Sequence, residues 1–150
     1  MLSKMPDGYT IAYAATTNRG RILELVPEGE TVAAWTEMIT VQVLRNENGL
    51  TLSAFRSCMQ DFWGNVFPGS SSELVEDRWE DKYRVTIWSS AAPINRRTGK
   101  PEMTWFKASV RNRKILIVQK AFKFQPSPDQ IAYWIGFLRE VRVRDAQAVP

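Results

Sequence analysis

Residues 31–44 (TVAAWTEMITVQVL) constrain the fold more than any other stretch of this chain. A polar lead-in and one short amphipathic turn carrying Trp35 run into a segment whose side chains alternate in character. Its two faces hold Ile39, Val41 and Val43 on one side and Thr40, Gln42 and Leu44 on the other. A period of two with β-branched members is typical of a strand. The mostly apolar face needs a second layer to cover it, and a helical pattern follows shortly afterwards.

Six further segments have strand patterns and are separated by turn signals. They are residues 9–16, 21–26, 73–79, 83–89, 103–110 and 114–124. The intervening loops are expected at residues 18–20, 46–49, 68–72, 80–82, 93–101 and 111–113. Within the last segment, residues 115–118 (ILIV) are apolar on both faces, which predicts a central strand paired on both edges.

Two helices are predicted from apolar stripes at helical spacing. The first is capped by Thr51 or Ser53, runs to about Trp63 and stops at Gly64, with a stripe of Leu52, Phe55, Met59 and Phe62. The second begins at Ser127-Pro128-Asp129 and buries Ile131, Trp134, Ile135 and Leu138, a stripe that Tyr133 and Phe137 widen. Residues 141–144 are either a short closing strand or a frayed helix end.

These elements predict one α+β domain over residues 1–150, an antiparallel β-sheet of about seven strands packed with two α-helices. At 150 residues the chain is long enough for one well-cored domain and too short for two comfortable ones.

The absence of histidine excludes most familiar catalytic arrangements within this chain. It rules out Ser-His and Cys-His nucleophile pairs, imidazole acid–base catalysis and His-ligated zinc. The single Cys58 excludes an internal disulfide, and we expect it to be buried and structural. We predict no catalytic residue, no metal ligand and no cofactor. Four carboxylates cluster near one turn, where a solvated turn is favoured over a metal site: Glu76, Asp77, Glu80 and Asp81.

Nothing in the sequence is long and apolar enough to span a membrane. The first residues, MLSKMPDGY, lack the apolar stretch of a secretory signal. Two interpretations stay open: a cytoplasmic protein, or a mature exported form whose leader was replaced by a starting Met. The sequence leaves the oligomeric state open.

The six tryptophans suggest binding through aromatic surface. The chain has more aromatic residues than two helical stripes and a sheet obviously need, so an exposed patch would draw on Trp35, Trp63, Trp79, Trp88 and Trp105. The leading hypothesis is therefore a non-enzymatic accessory or binding domain that contacts an unidentified protein or a small apolar ligand. An enzyme that uses carboxylates or Lys is a further hypothesis, but the sequence shows no paired acidic residues on facing elements that would support it.

The second hypothesis is binding of nucleic acid or an anionic surface by the basic C-terminal third. Residues 96–150 carry 12 basic and 4 acidic groups. The candidate phosphate contacts are Arg96, Arg97 and Lys100 in one loop, and Arg111, Arg113 and Lys114 in the next. These loops would lie about 20 Å or more apart, at opposite ends of one strand. That separation disfavours a compact site.

Three stretches, PEGETVAAWTEMITVQVL, FPGS and RRTGKPEMTWF, together resemble a family of small exported proteobacterial proteins of unknown function. The overall plan is similar to PsbP/Mog1-like α+β sandwiches, a likeness of fold that implies no activity. The resemblance implies a periplasmic or secreted location. It also implies a disulfide in relatives between the two residues that precede the prolines of the FPGS loop and of the loop before TGKPE. Phe67 and Ala92 occupy those positions here, so we expect them to pack together.

Overall fold

A seven-stranded antiparallel sheet forms the centre of the fold, with strand order β1-β2-β3-β7-β6-β5-β4. The structure is a computed structural model and describes residues 2–144. The strands are β1 (Tyr9–Thr17), β2 (Gly20–Pro27), β3 (Glu37–Arg45), β4 (Ser71–Glu80), β5 (Tyr83–Asn95), β6 (Lys100–Arg111) and β7 (Lys114–Phe122). The helices are α1 (Leu52–Val66) and α2 (Pro128–Glu140). The α+β class predicted from the sequence is confirmed.

Strand β7 lies at the middle of the sheet, as its doubly apolar pattern predicts. Val118 pairs with Val41 of β3, and Ile117 pairs with Ala108 of β6. Residues 115–118 are therefore interior to the sheet.

Each face of the sheet is covered by one helix. On the first face, Trp88, Phe106 and Ile117 of the sheet belong to one apolar cluster with Phe55 and Trp63 of α1. On the second face the cluster combines strand and α2 residues: Ile39, Val41, Ile87, Trp105, Val118, Phe122, Trp134, Phe137 and Leu138. Neighbouring residues such as Ile117 and Val118 point to opposite faces, which places α1 and α2 on opposite sides.

Helix α1 is longer than predicted and uses a different residue at the end of its stripe. It passes through Gly64 and ends at Val66, so the predicted stop at Gly64 is wrong. Trp63 is buried, whereas Phe62 is 59% exposed. The ring of Trp63 lies 4.5 Å from that of Phe67, and the Phe67 N–H donates to the Trp63 carbonyl. This packing holds the last turn against the cost of about 1 kcal/mol for an internal Gly.

Cys58 is exposed, and the prediction of a buried structural thiol is wrong. At about 100° per residue its position lies about 60° from Phe55 and about 140° from Trp63 around the helix axis, which places it at the flank of the buried face. Being next to the apolar residue Met59 in sequence did not place it in the core.

Helix α2 begins as predicted. Ser127 caps it, and the Gln130 side chain accepts from the Ser127 N–H to complete a capping box. Trp134, Phe137 and Leu138 are buried, but Tyr133 is 60% exposed and does not widen the stripe. Beyond the helix, Val141 is its C-cap and Val143 forms an isolated antiparallel bridge with Leu2.

The predicted long loop at residues 93–101 is wrong. Strand β5 continues to Asn95 and β6 begins at Lys100, which leaves only the turn at residues 96–99. Pro93 is accommodated because the register shifts between Ala92 and Asn95, where no ladder hydrogen bond is required of it. Similarly, β4 starts at Ser71, inside the predicted loop 68–72.

Four connections lie at one end of the sheet, which we call the hairpin end. They are the turns at residues 18–19, 81–82 and 112–113 and the loop at residues 46–49. Pairing of Gly20 with Leu44 and of Arg45 with Lys114 aligns three of them. Pairing of Val85 with Ser109 brings the β4–β5 turn to the same end. The turn at residues 96–99 lies at the opposite end.

Candidate functional site

An open groove runs between α2 and the β4 edge of the sheet, and we call it the α2 groove. It has a volume of about 510 Å³. Strands β4, β5 and β6 form its floor and outer edge, and α2 forms its wall. The lining residues are Ser71, Glu73, Leu74, Val75, Ser89, Ala91, Met103, Trp105, Ile131 and Ile135.

Strand register explains why a groove forms at this place. Directly opposed residues point to the same face, and two rows cross the strands here: Ser71, Ala91 and Met103 in one, and Glu73, Ser89 and Trp105 in the other. The first row is small on β4 and β5 and large on β6, and the second has its small residue, Ser89 of β5, between Glu73 and Trp105. The small side chains leave space between the sheet and α2 that the large ones fill further in.

A bulge in β4 shapes the outer edge of the groove. The register shifts between Leu74 and Glu76, which leaves Val75 as the extra residue. A bulge bends its strand and redirects side chains. Val75 packs against the apolar cluster under α2, whereas Leu74, which pairs with Trp88, points to the α1 face and is 48% exposed. The groove therefore has apolar surface at its edge as well as at its wall.

The polar groups of the groove are few. They include the hydroxyls of Ser71 and Ser89 and the carboxylate of Glu73, which is the one charged side chain among the lining residues. The wall and inner floor are Ile131, Ile135, Met103 and Trp105, so the groove suits an apolar group. Glu73 favours a ligand that is neutral or that carries a positive charge next to this apolar group. Nothing in the lining pairs a nucleophile with a base.

Trp105 and Trp88, both proposed as binding residues, lie in the interior. Trp105 lines the inner end of the α2 groove, is 5% exposed and packs edge-on against Phe122 with ring centroids 5.8 Å apart. Trp88 is completely buried under α1 and stacks on Phe106 at 4.8 Å, so it takes no part in any surface.

Trp35 and Trp79 lie elsewhere, and neither joins the groove. The Lys123 ammonium is 3.9 Å from the centre of the half-buried Trp35 ring. Trp79 is 61% exposed on β4, and the Arg84 guanidinium lies 5.1 Å from its ring. The proposed tryptophans are therefore dispersed over the molecule, and they do not form one patch.

Arg96, Arg97 and Lys100 are exposed at the turn between β5 and β6. The second predicted basic group, Arg111, Arg113 and Lys114, lies at the hairpin end. Eleven residue steps of β6 separate Lys100 from Arg111, about 36 Å at the rise of a strand. The structure keeps the two basic groups apart, as the sequence predicts.

Lys120 is a strongly perturbed titratable group on the α2 face, and it is inaccessible. It is 0% exposed, its ammonium lies 2.9 Å from Glu37 Oε1, and it donates to the Tyr9 hydroxyl. The rings of Trp134 and Phe122 lie 3.8 and 4.8 Å away. Burial lowers the pKa of Lys120 to about 8 and raises the pKa of Tyr9 well above its usual value. A lowered Lys pKa is a feature of catalytic lysines, but no substrate could reach this one.

Glu80 is a second buried charge, and the prediction that it lies in a solvated turn is wrong. It is 3% exposed and forms ion pairs with Lys107 at 2.8 Å, Arg111 at 3.2 Å and Arg142 at 3.1 Å. Lys107 also donates to the Val141 carbonyl. This network ties the segment after α2 to the sheet. Of the neighbouring acids, Glu76 pairs with Arg139 and Asp77 with Arg56.

Sequence reasoning missed the α2 groove because it assigned Ile131 and Ile135 wholly to the core. Both are only half-buried, since the sheet beneath their outer side is made of Ser89 and Ala91. The signal was the presence of small residues at alternate positions of 83–95, but its meaning depends on the register with β4 and β6. Glu73, Ser71 and Ala91 were likewise not identified.

No known family model matches the chain, and no curated protein matches it significantly. Among solved structures, the solution structure of cyanobacterial PsbP (CyanoP) from Synechocystis sp. PCC 6803 is similar in fold. It shares 10% sequence identity, covers 95% of this chain and 96% of its own, and superimposes with a TM-score of 0.51. In the described part of the chain, no helix is long and apolar enough to cross a membrane. The chain has a PsbP-like α+β fold.

Proposed function

We propose that this protein is a non-enzymatic accessory or binding domain that holds an apolar segment of a partner protein, or a small apolar ligand, in the α2 groove. The observation that carries the proposal is the open volume of about 510 Å³ between α2 and the β4 edge, walled by Ile131 and Ile135. That volume falls within the range of about 300–1,000 Å³ typical of ligand sites.

Transfer of apolar surface from water would drive binding. Burying one Leu, Ile or Phe side chain contributes about 1.5–3 kcal/mol. Met103, Trp105 and the two isoleucines offer contact on two sides of an inserted group. Glu73 at the rim favours a neighbouring Lys or Arg on the ligand over an acidic one.

The groove is open along the β4 edge, and this favours a protein segment over an enclosed small molecule. Strand β4 pairs with β5 on one side only, because it is the last strand of the sheet. An extended segment could therefore run beside β4 and place alternate side chains in the groove.

Two observations support a binding role over catalysis, and a third supports an exported bacterial origin. The chain has no histidine, and the lowered pKa of Lys120 belongs to a completely buried side chain. The sequence resembles small exported proteobacterial proteins in PEGETVAAWTEMITVQVL and TGKPE. We accordingly propose a periplasmic or secreted location.

Site-specific photocrosslinking in the native host tests the proposal. A benzophenone amino acid replaces Ala91, which lies in the groove, or Ala14, an exposed residue of β1 that serves as the control. We expect a discrete crosslinked product from position 91 that is absent from position 14. Adding Ile131→Asp to the position-91 variant should abolish the product while far-ultraviolet circular dichroism stays unchanged. Equal products from both positions, or none from position 91, would contradict the proposed function.

A further inference from the structure

The hairpin end collects basic side chains from four distant parts of the chain. Arg19 lies in the β1–β2 turn, Arg45 ends β3, Lys82 lies in the β4–β5 turn and Arg113 lies in the β6–β7 turn, all of them exposed. Arg84 is also exposed, two residues beyond Lys82. No single stretch of sequence shows this grouping, because the strand order creates it.

Acidic groups do not cancel this charge. Glu47 lies 3.9 Å from Arg45, with both side chains largely exposed, a type of pair that water and salt screen well. Glu80 is buried and already surrounded by Lys107, Arg111 and Arg142. Asp81 is the remaining carboxylate in these turns. The hairpin end is therefore strongly positive.

Concave surface accompanies the charge. A cavity of about 480 Å³ opens between the β1–β2 turn and the loop after β3, and its lining includes Arg19, Arg45 and Asn48 together with one carboxylate, Glu47. A smaller one of about 210 Å³ lies beside it and includes Arg21 and Lys114. Recesses lined by guanidinium and ammonium groups suit phosphate oxygens.

An exposed aromatic ring lies at the same end. Trp79 pairs with Arg84 across the β4–β5 hairpin, and both side chains are solvent-exposed. Trp79 lies two residue steps before Asp81 of the turn, so the ring lies about 7 Å behind the tip. Its outer side is free for a second planar group to stack.

We propose that the hairpin end binds single-stranded nucleic acid, with phosphates along the basic turns and one base stacked on Trp79. The β1–β2 and β4–β5 turns lie five strand spacings apart in the sheet, about 24 Å at 4.8 Å per spacing, enough for several nucleotides. Basic tracks combined with aromatic stacking are the usual means of binding single strands. This site is separate from the α2 groove and goes beyond the function proposed for it.

Trp79 decides between a single strand and a flat anionic membrane. A planar surface resting on the turn tips would meet Lys82 and Arg113 and leave a ring about 7 Å further back uncovered. A flexible strand can bend around the edge to reach that ring.

Fluorescence anisotropy with a labelled 15-nucleotide oligothymidylate at several KCl concentrations tests the inference. We expect the protein to bind the oligonucleotide, with the logarithm of the association constant falling linearly as the logarithm of the salt concentration rises. Arg19→Glu with Arg113→Glu should reduce affinity at least tenfold and lower the salt slope by about 1.4, because each lost phosphate contact contributes about 0.7. Trp79→Ala should reduce affinity about 5- to 150-fold and leave the slope unchanged, since stacking releases no counterion.

Arg96→Glu with Arg97→Glu is the matched control, since it makes the same charge change at the opposite end. Its affinity should stay within about twofold of the unaltered protein if phosphates are contacted locally. An equal loss in this control would overturn the inference, as would an absence of oligonucleotide binding. Binding to phosphatidylserine vesicles but not to the oligonucleotide would overturn it in favour of a membrane surface.

Discussion

Lys120 shows how a single charged residue can be held in an apolar layer. Removing an ammonium from water costs several kcal/mol. The ion pair with Glu37 at 2.9 Å and the ring of Trp134 at 3.8 Å offset that cost. Burial still has the largest effect on the pKa of Lys120, and the pKa is therefore lowered to about 8. The charge is therefore less favourable in the folded protein than in the unfolded chain.

This imbalance predicts a defined pH dependence of stability. Between pH 8 and about 10 the unfolded chain keeps the Lys120 proton that the folded protein loses, so the free energy of unfolding should rise with pH. Above pH 10 the raised pKa of Tyr9 acts in the opposite direction, because the unfolded tyrosine then ionises first. The increase in the free energy of unfolding that Lys120 causes is at most about 1.4 kcal/mol per pH unit.

Urea denaturation of the unaltered protein and of Lys120→Met at pH 8, 9 and 10 measures this contribution. Subtraction removes other groups, including Lys107, whose pKa is also lowered by burial. The difference between the two proteins should change by about 2 kcal/mol in favour of the unaltered protein. A constant difference would show that Lys120 titrates normally.

Helix α1 offers a second comparison, between two phenylalanines of unequal burial. Phe55→Ala removes a ring that is 6% exposed and should cost about 3–5 kcal/mol of unfolding free energy. Phe62→Ala removes a ring that is 59% exposed and should change stability by no more than about 0.5 kcal/mol. Chemical denaturation measures both. Similar costs would mean that Phe62 is in the core, as its spacing suggested.

The secondary-structure elements were largely predictable from the sequence, and their ends were not. Alternation in 39–44 and the doubly apolar run 115–118 report burial directly, so β3 and β7 were identified together with the central place of β7. The ends of the helices and strands depend on tertiary contacts, which the spacing of apolar residues in the sequence does not reveal. Trp63 against Phe67 extends α1 past Gly64, and a register shift carries β5 past Pro93. The α2 groove depends on register in the same way, through the alignment of Ser89 with Glu73 and Trp105.

The connection after α1 and the end of β5 are expected to lie close together. Phe67 and Ala92 belong to the same apolar cluster, and Ala91 pairs with Ser71 near the start of β4. Replacing both by cysteine, as Phe67→Cys with Ala92→Cys, should form a disulfide under oxidising conditions, which requires Cα atoms about 4.4–6.8 Å apart.

The oxidised form of this double variant should be about 3 kcal/mol more stable than its reduced form, because a loop of about 25 residues is closed. Comparing the two forms of one protein cancels the loss of the Phe67 ring from Trp63. Thiol titration reports the bond, and denaturation reports its effect. Two free thiols at these positions after oxidation would refute the expectation that residues 67 and 92 lie within disulfide distance.

At the scale of the whole molecule, the sheet separates two surfaces of different character. The α2 groove lies where small residues of β4 and β5 leave space under α2, towards the end that carries Arg96 and Arg97. The hairpin end lies at the other end of the strands. The similarity to cyanobacterial PsbP, at 10% identity, extends to the sheet and its helices. The side chains of this chain specify the surfaces.

A nuclear magnetic resonance titration with the neutral apolar dye Nile red tests the central claim most directly. We expect the largest amide shifts at Leu74, Val75, Ala91 and Met103, together with the Trp105 indole N–H. Ala91→Trp should fill the groove and abolish those shifts, while the same change at exposed Ala14 should leave them intact. Shifts confined to the hairpin end or to β1, or unchanged shifts in Ala91→Trp, would contradict the α2 groove as the apolar binding site.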